Sequence, residues 1–293
     1  METSQLTAAG TLILGLSAVA LAGALVWVAM VPSEGRIARW SSHYGLRLTD
    51  LNSSLVAAYV RRTRSLQVAG GALGWLASPV YIALFRRPFP LTDNWVLLAV
   101  AGYLLGAALG EITFLRTSQP ESSVRAAALA RRALSDYLPR ATVWVMRVLP
   151  LTGVSLALIY ALVPKNAQRT VDPSVAFMIA SSLLVVVLAA LIEWFLRTIV
   201  ARPQSAITSD LLAADEAIRA ASIHSLAAAG IAVMLLSIGW AAVSLGDVIA
   251  SNTLSALLPW LGVACDLGAL IVWIGLGHLA TWRVRRGAPA VSG

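Results

Sequence analysis

The sequence predicts an all-α membrane protein of about seven transmembrane helices, and three observations carry that prediction. Of 293 residues 58% are hydrophobic and only 12% are charged, against roughly 25% charged in an ordinary soluble domain. The apolar residues come in blocks of about 20 or more, long enough to cross a hydrocarbon core of about 30 Å as helix. The basic residues gather between alternate blocks. An open sheet would leave backbone groups unpaired in lipid, and the alternating pattern of a membrane barrel is absent.

Taken in order, the blocks are 6–31, 66–85, 94–115, 142–163, 174–196, 222–245 and 256–282, within a single transmembrane domain covering 1–293. The first is expected to be a retained span. Its flank Met1-Glu2-Thr3-Ser4-Gln5 has no positive charge, and its apolar run is too long for a signal-peptide core. The linker 33–64 begins with Ile37, Trp40 and Tyr44 at helical spacing beside Arg36 and Arg39, the pattern of an interfacial helix. Thr49 or Asp50 is placed to cap a following helix carrying Leu51, Leu55 and Tyr59 on one face. The second span holds Gly70, Gly74 and Pro79, and the third a Gly102, Gly106, Gly110 stripe, small residues that let helices approach closely. The linker 118–140 lines up Leu129, Ala130, Ala133, Leu134, Tyr137 and Leu138 as one helix face before Pro139. Pro150 interrupts the fourth span. The linker 199–221 places Ile207, Leu211, Ala214 and Ile218 on one face, with Asp215 and Arg219 at pairing distance. Trp27, Trp95, Trp144, Trp194, Trp260 and Trp282 cluster at span ends as an aromatic belt.

Charge sets the expected orientation. Of the 22 basic residues, 21 Arg and one Lys, 18 fall on the side of the linkers 33–64, 118–140 and 199–221 and of the C-terminal tail. Four, Arg86, Arg87, Lys165 and Arg169, fall on the other. The split puts the N-terminus outside and the C-terminus in the cytoplasm. It also accounts for the net charge of +8 as a topology signal, so no nucleic-acid partner is implied.

An internal repeat is expected as well. Phe114-Leu115-Arg116-Thr117 and Phe195-Leu196-Arg197-Thr198 end two spans, Pro120 and Pro203 follow, and then come Arg132-Ala133-Leu134-Ser135 and Arg219-Ala220-Ala221-Ser222. With Arg62-Thr63-Arg64-Ser65 leading into the second span, this reads as three hairpins joined by cytoplasmic amphipathic helices, plus one extra span. Arg116 should then superpose on Arg197, and Arg132 on Arg219.

Few residues point to chemistry. Asp266, near the middle of the last span on a face with Gly262, Ala269, Trp273 and Gly277, costs roughly 2.5–3.5 kcal/mol to bury in lipid. It is either an ion, proton or substrate contact or a carboxyl holding two helices together. Glu111 and Glu193 sit just inside their spans. Glu193 can reach Arg197 one turn on, and Arg147 is the expected cross-helix partner of Glu111, as structural pairs or as a gate. Arg131, Arg132, Asp215 and Arg219 are the candidates for docking a partner. There is no P-loop, GxGxxG, HExxH or GxSxG. His43, His224 and His278 have no ligand spacing, and Cys265 is the one cysteine. No catalytic residue, metal or cofactor is therefore expected, and an intramembrane enzyme is poorly supported. The leading expectation is a membrane-embedded component of a transport system driven by a cytoplasmic partner such as an ATPase. The alternative is a non-catalytic scaffold or assembly subunit beside other membrane subunits. The weight of Arg and Ala suggests a bacterial plasma membrane.

Overall fold

A computed structural model of the chain describes residues 23, 34–85, 95–117, 132–163, 174–202, 208–249 and 252–287, with side chains omitted at 78–85, 95–96, 115–117, 252 and 277–287. The expected first span, Arg131, most of the linker 118–140, and the side chains of Pro79 and Arg116 lie outside this set. Regular structure among the described residues is helical with no strand: α1 Glu34–His43, α2 Ser53–Phe85, α3 Trp95–Thr117, α4 Arg140–Leu162, α5 Val175–Ala201, α6 Ser209–Val248 and α7 Asn252–Gly287, with a 3₁₀ turn at Leu134–Asp136. Five of them, α3 to α7, are long and apolar enough to cross a membrane. A polytopic membrane protein is the class that follows.

Local signals set several boundaries. Ser174 and Thr208 accept hydrogen bonds from the amides of Phe177 and Leu211 and so cap α5 and α6. Pro139 precedes α4 with φ −55° and ψ 141°, the extended setting natural to proline. Asn52, immediately before α2, ties the loop behind it, accepting from the Thr49 amide and donating to the Arg47 carbonyl. The helix therefore starts at Ser53, later than the expected caps Thr49 and Asp50, and Leu51 is left exposed.

The linkers differ from the sequence reading. Residues 53–64 and 209–221 are no separate amphipathic helices; they are the first turns of α2 and α6. At 33 and 40 residues these helices run about 50 and 60 Å, well past the length that spans the hydrocarbon core. Residues 132–139 are not α-helical. The Asp136 carboxylate accepts the Ala133 amide at 2.8 Å, closing a local turn, and Pro139 disfavours helix at Leu138. Arg132 thus lies in irregular chain and Arg219 eleven residues into a continuous helix, so the expected equivalence of the two fails at the level of local structure.

The described residues fall into two compact units, one within Met1–Ala38 and Ser53–Gln119, the other within Arg39–Asn52 and Pro120–Gly293. In the first, α2 and α3 form an antiparallel hairpin joined by glycine. A Cβ built on Gly70 would run into the Gly102 carbonyl oxygen, one on Gly74 into that of Leu98, and one on Gly106 into that of Leu66. The expected stripe is thus a backbone-to-backbone contact.

In the second unit α6 is central. Of its apolar window 78% is buried, against 28% for α4, 22% for α5 and 17% for α7. A helix apolar all round belongs inside, and its run Ala227-Ala228-Ala229-Gly230 is small enough to admit neighbours. Ile192 of α5 presses on Gly230, and Gly262 of α7 faces Gly239. Ser182 donates across to the Gly153 carbonyl of α4 at 3.2 Å. At the end formed by the α6 C-terminus, Tyr160, Met178, Ala241, Leu245 and Val248 make a buried apolar knot.

Candidate functional site

The polar groups of the second unit collect at its other end, where α5 finishes and α6 begins. Because α5 stops at Ala201, its last carbonyls lack helical partners. Arg219, wholly buried, reaches back from α6 and places Nη1 at 3.0 Å from the Ile199 oxygen, 2.8 Å from that of Val200 and 2.9 Å from that of Arg202. A guanidinium at a helix C-terminus satisfies bare carbonyls and complements the negative end of the dipole. Its Nη2 pairs with Asp215 Oδ2 at 2.9 Å, one turn earlier on α6, and Asp215 also takes Arg202.

One residue further along, Glu216 accepts the Tyr137 hydroxyl at 2.6 Å and pairs with Arg132 at 3.3 Å. The irregular stretch 132–139 is thereby clamped to α6. Burial, and then the Glu216 carboxylate, hold the Tyr137 phenol well above its ordinary value, so it stays a donor throughout the neutral range.

A third group lies between α4 and α5. Arg147 and Arg197 each bring Nη2 to the same oxygen of Glu193, at 2.6 and 2.5 Å. The Glu193–Arg197 contact has the expected one-turn spacing. The expected Glu111–Arg147 pair is corrected: Arg147 is taken up by Glu193. In the first unit the buried Glu111 accepts the Tyr59 hydroxyl at 3.0 Å, with the Tyr59 ring edge-on to Phe114. Tyr59 lies one turn below the glycine contact, where helices this close can pass a short hydrogen bond.

No family model, curated protein or solved structure matches this chain. The site's capabilities are those of its own groups. Arg219 and Asp215, expected to dock a partner, face inward, Arg219 completely. Arg132 is engaged by Glu216. Among the described residues no three His, Cys, Asp or Glu are grouped to hold a metal ion. Ion pairs, a carbonyl cap and a phenol clamp fix the angle and register of helices.

Asp266 stands apart from this network. On α7 its Oδ1 lies 3.2 Å from where a Cβ on Gly239 would be, at the rim of the α6–α7 contact, and the side chain is otherwise exposed. It has no hydrogen bond or ion pair with a described residue. Its neighbours Leu267, Leu270 and Ile271 are exposed too. The small face expected around it packs on α6 through Gly262 and Ala269, with Asp266 at the edge of that face. Sequence reasoning missed Tyr137, Arg202 and Glu216. The spacing of Glu216 beside Asp215 was a usable signal, whereas the partner residues belong to other segments.

Proposed function

We propose that this chain is a non-catalytic subunit of a larger membrane assembly, a seven-span protein with its N-terminus outside and its C-terminus in the cytoplasm. The observation that carries the reading is Asp266, a mid-span carboxyl on the outer face of α7, among leucines and isoleucine and without a hydrogen-bond or ion-pair partner among the described residues. A carboxyl left in lipid there carries a cost of roughly 2.5–3.5 kcal/mol, which a basic or hydrogen-bonding group on a neighbouring subunit's helix would offset. The interior supports the same reading. Beyond the buried Arg219 and His224 near its start, the buried side chains of α6 are mainly alanines, glycines and aliphatics, and the hydroxyls of Ser222 and Ser237 return to carbonyls of their own helix.

The test is a photo-crosslinking residue at Leu270 in membranes. The assembly reading expects a discrete protein adduct that Asp266→Leu abolishes while the chain still inserts. Adducts to lipid alone at Leu270 and at Leu267 would overturn it.

A second reading, a transport component energised by a cytoplasmic ATPase, is favoured by the placement of the Asp266 oxygen at the α6–α7 seam. Under that reading Asp266→Asn abolishes flux in reconstituted vesicles with insertion unchanged. Under the assembly reading the amide, which keeps hydrogen-bonding capacity at similar volume, retains much of the Leu270 adduct.

A further inference from the structure

The Arg147–Glu193–Arg197 group has one more positive charge than negative, and it is on the outside of the helix pair. The side chain of Arg197 is 65% exposed and that of Arg147 48%, while Glu193 between them is 24% exposed. Both guanidiniums touch one carboxylate oxygen at 2.6 and 2.5 Å, so their contacting nitrogens are held within about 5 Å of each other by that shared atom. Each guanidinium has five donors in a planar fork, and Glu193 takes a single nitrogen from each. The rest of both forks has no acceptor on Glu193.

The surroundings say what environment this group meets. Trp144 stands three residues before Arg147 and Trp194 three before Arg197, the same spacing on two adjacent helices. Both rings are exposed, at 66% and 60%. On α4 the outward stripe runs Trp144, Val148, Leu151, Leu158 and Leu162, and on α5 it runs Leu183, Leu184, Val187, Leu191 and Trp194. Each is a largely apolar face, interrupted on α4 only by Thr152 and Ser155, whose hydroxyls turn back to the carbonyls of Val148 and Leu151, and each ends in a Trp and an Arg within about two turns of the helix terminus. Indole rings settle at the headgroup level, and long Arg side chains reach toward it. A net positive pair of forks at that depth has a natural counter-charge, a monoanionic phosphodiester, which Arg grips with two parallel hydrogen bonds.

We propose that Arg147 and Arg197, held together by Glu193 and flanked by Trp144 and Trp194, form a binding site for the phosphate of an anionic phospholipid headgroup on the outer face of α4 and α5. Glu193 spaces the two guanidiniums and neutralises one of them, and the lipid phosphate neutralises the other. The acyl chains lie along the two apolar stripes.

The experiment uses the full chain in mild detergent, with phosphatidylglycerol and phosphatidylcholine titrated in and bound lipid counted by native mass spectrometry. Phosphatidylglycerol should bind at one saturable site at least tenfold more tightly than phosphatidylcholine. Arg197→Gln, which leaves the Arg147–Glu193 pair intact, should weaken it about fivefold, the effect of one basic group near a membrane surface. Glu193→Gln should strengthen it, because the amide oxygen still accepts from both forks while the negative charge that competes with the phosphate is gone. A group that only clamps α4 to α5 predicts the opposite: Glu193→Gln lowers the melting temperature and leaves lipid retention unchanged, and that result overturns the proposal. Equal binding of the two lipids overturns it as well. Inorganic phosphate at millimolar concentration separates sources: failure to displace phosphatidylglycerol identifies a lipid site, and displacement at an affinity matching the lipid's identifies a free-phosphate site and sinks the lipid assignment.

Discussion

Arg219 brings one nitrogen to three carbonyls and a second to a carboxylate while fully buried. Such a group is strongly context-bound, because removing it strips partners from several atoms at once. Arg219→Met should therefore cost about 3–5 kcal/mol, the range for breaking a buried charge pair. Arg219→Lys should recover only part, since an ammonium lacks the planar fork. Thermal melts of both variants in detergent check this, and a wild-type melting temperature for Arg219→Met would contradict it. Tyr137 offers a pH-dependent counterpart. Its phenol is held above the unfolded value of about 10, so its contribution is fully present below about pH 10 and is lost as pH rises through the still higher folded value. Tyr137→Phe should cost roughly 1.5–3 kcal/mol, typical of a hydrogen bond to a charged group. The gap between the two proteins should stay constant from about pH 7 to 9 and begin to close above about pH 10. A gap that closes as pH falls from about 9 to 7, where the carboxylate stays charged, would refute the assignment.

At the scale of elements, the glycine contacts of the α2–α3 hairpin yield a graded prediction. Gly70→Ala and Gly106→Ala place a methyl on a backbone oxygen, which no side-chain rearrangement relieves, and should each cost about 1–3 kcal/mol as overpacking. Gly71→Ala meets nothing nearer than 3.6 Å, so it should be neutral or stabilise by up to about 1 kcal/mol through helix propensity. Equal effects at Gly70 and Gly71 would mean that the hairpin is not in close backbone contact. These elements also mark where the sequence was readable. Apolar blocks gave α3, α4, α5 and α7 to within a few residues, because hydrocarbon thickness imposes a minimum run that composition reveals. The Gly102–Gly110 stripe announced its own packing. Helix ends were less readable in the linkers. An amphipathic stripe shows which face would be buried, not where a helix stops. Nothing between 209 and 222 breaks helix, so linker and span fused. At 132–139 an apolar stripe of helical spacing was overridden by a three-residue hydrogen bond from Asp136 and by Pro139. The ionic groups were half visible: pairs one turn apart, Asp215–Arg219 and Glu193–Arg197, follow from spacing alone. Arg147–Glu193 and Tyr137–Glu216 span 46 and 79 residues of chain and needed the tertiary arrangement.

For the molecule as a whole, the proposed seven-span topology would divide the basic residues 18 to 4, and the orientation proposed from that split has a direct check. A C-terminal reporter active only in the cytoplasm should work and an N-terminal one should not, and the reverse would overturn the sidedness. The helix cap made by Arg219 also bears on how the chain is made. The three carbonyls at the end of α5 belong to residues synthesised up to 20 positions earlier than the guanidinium that closes them. At about 5–20 residues per second that interval is on the order of one to four seconds, during which α5 is complete in sequence but open at its end. A chain truncated after residue 207 and released into membranes should thus be cut readily by protease around 197–202, while one that extends through the first half of α6 should resist. The seal arrives with the next helix, so the second unit has a built-in order of assembly in which α5 waits for α6.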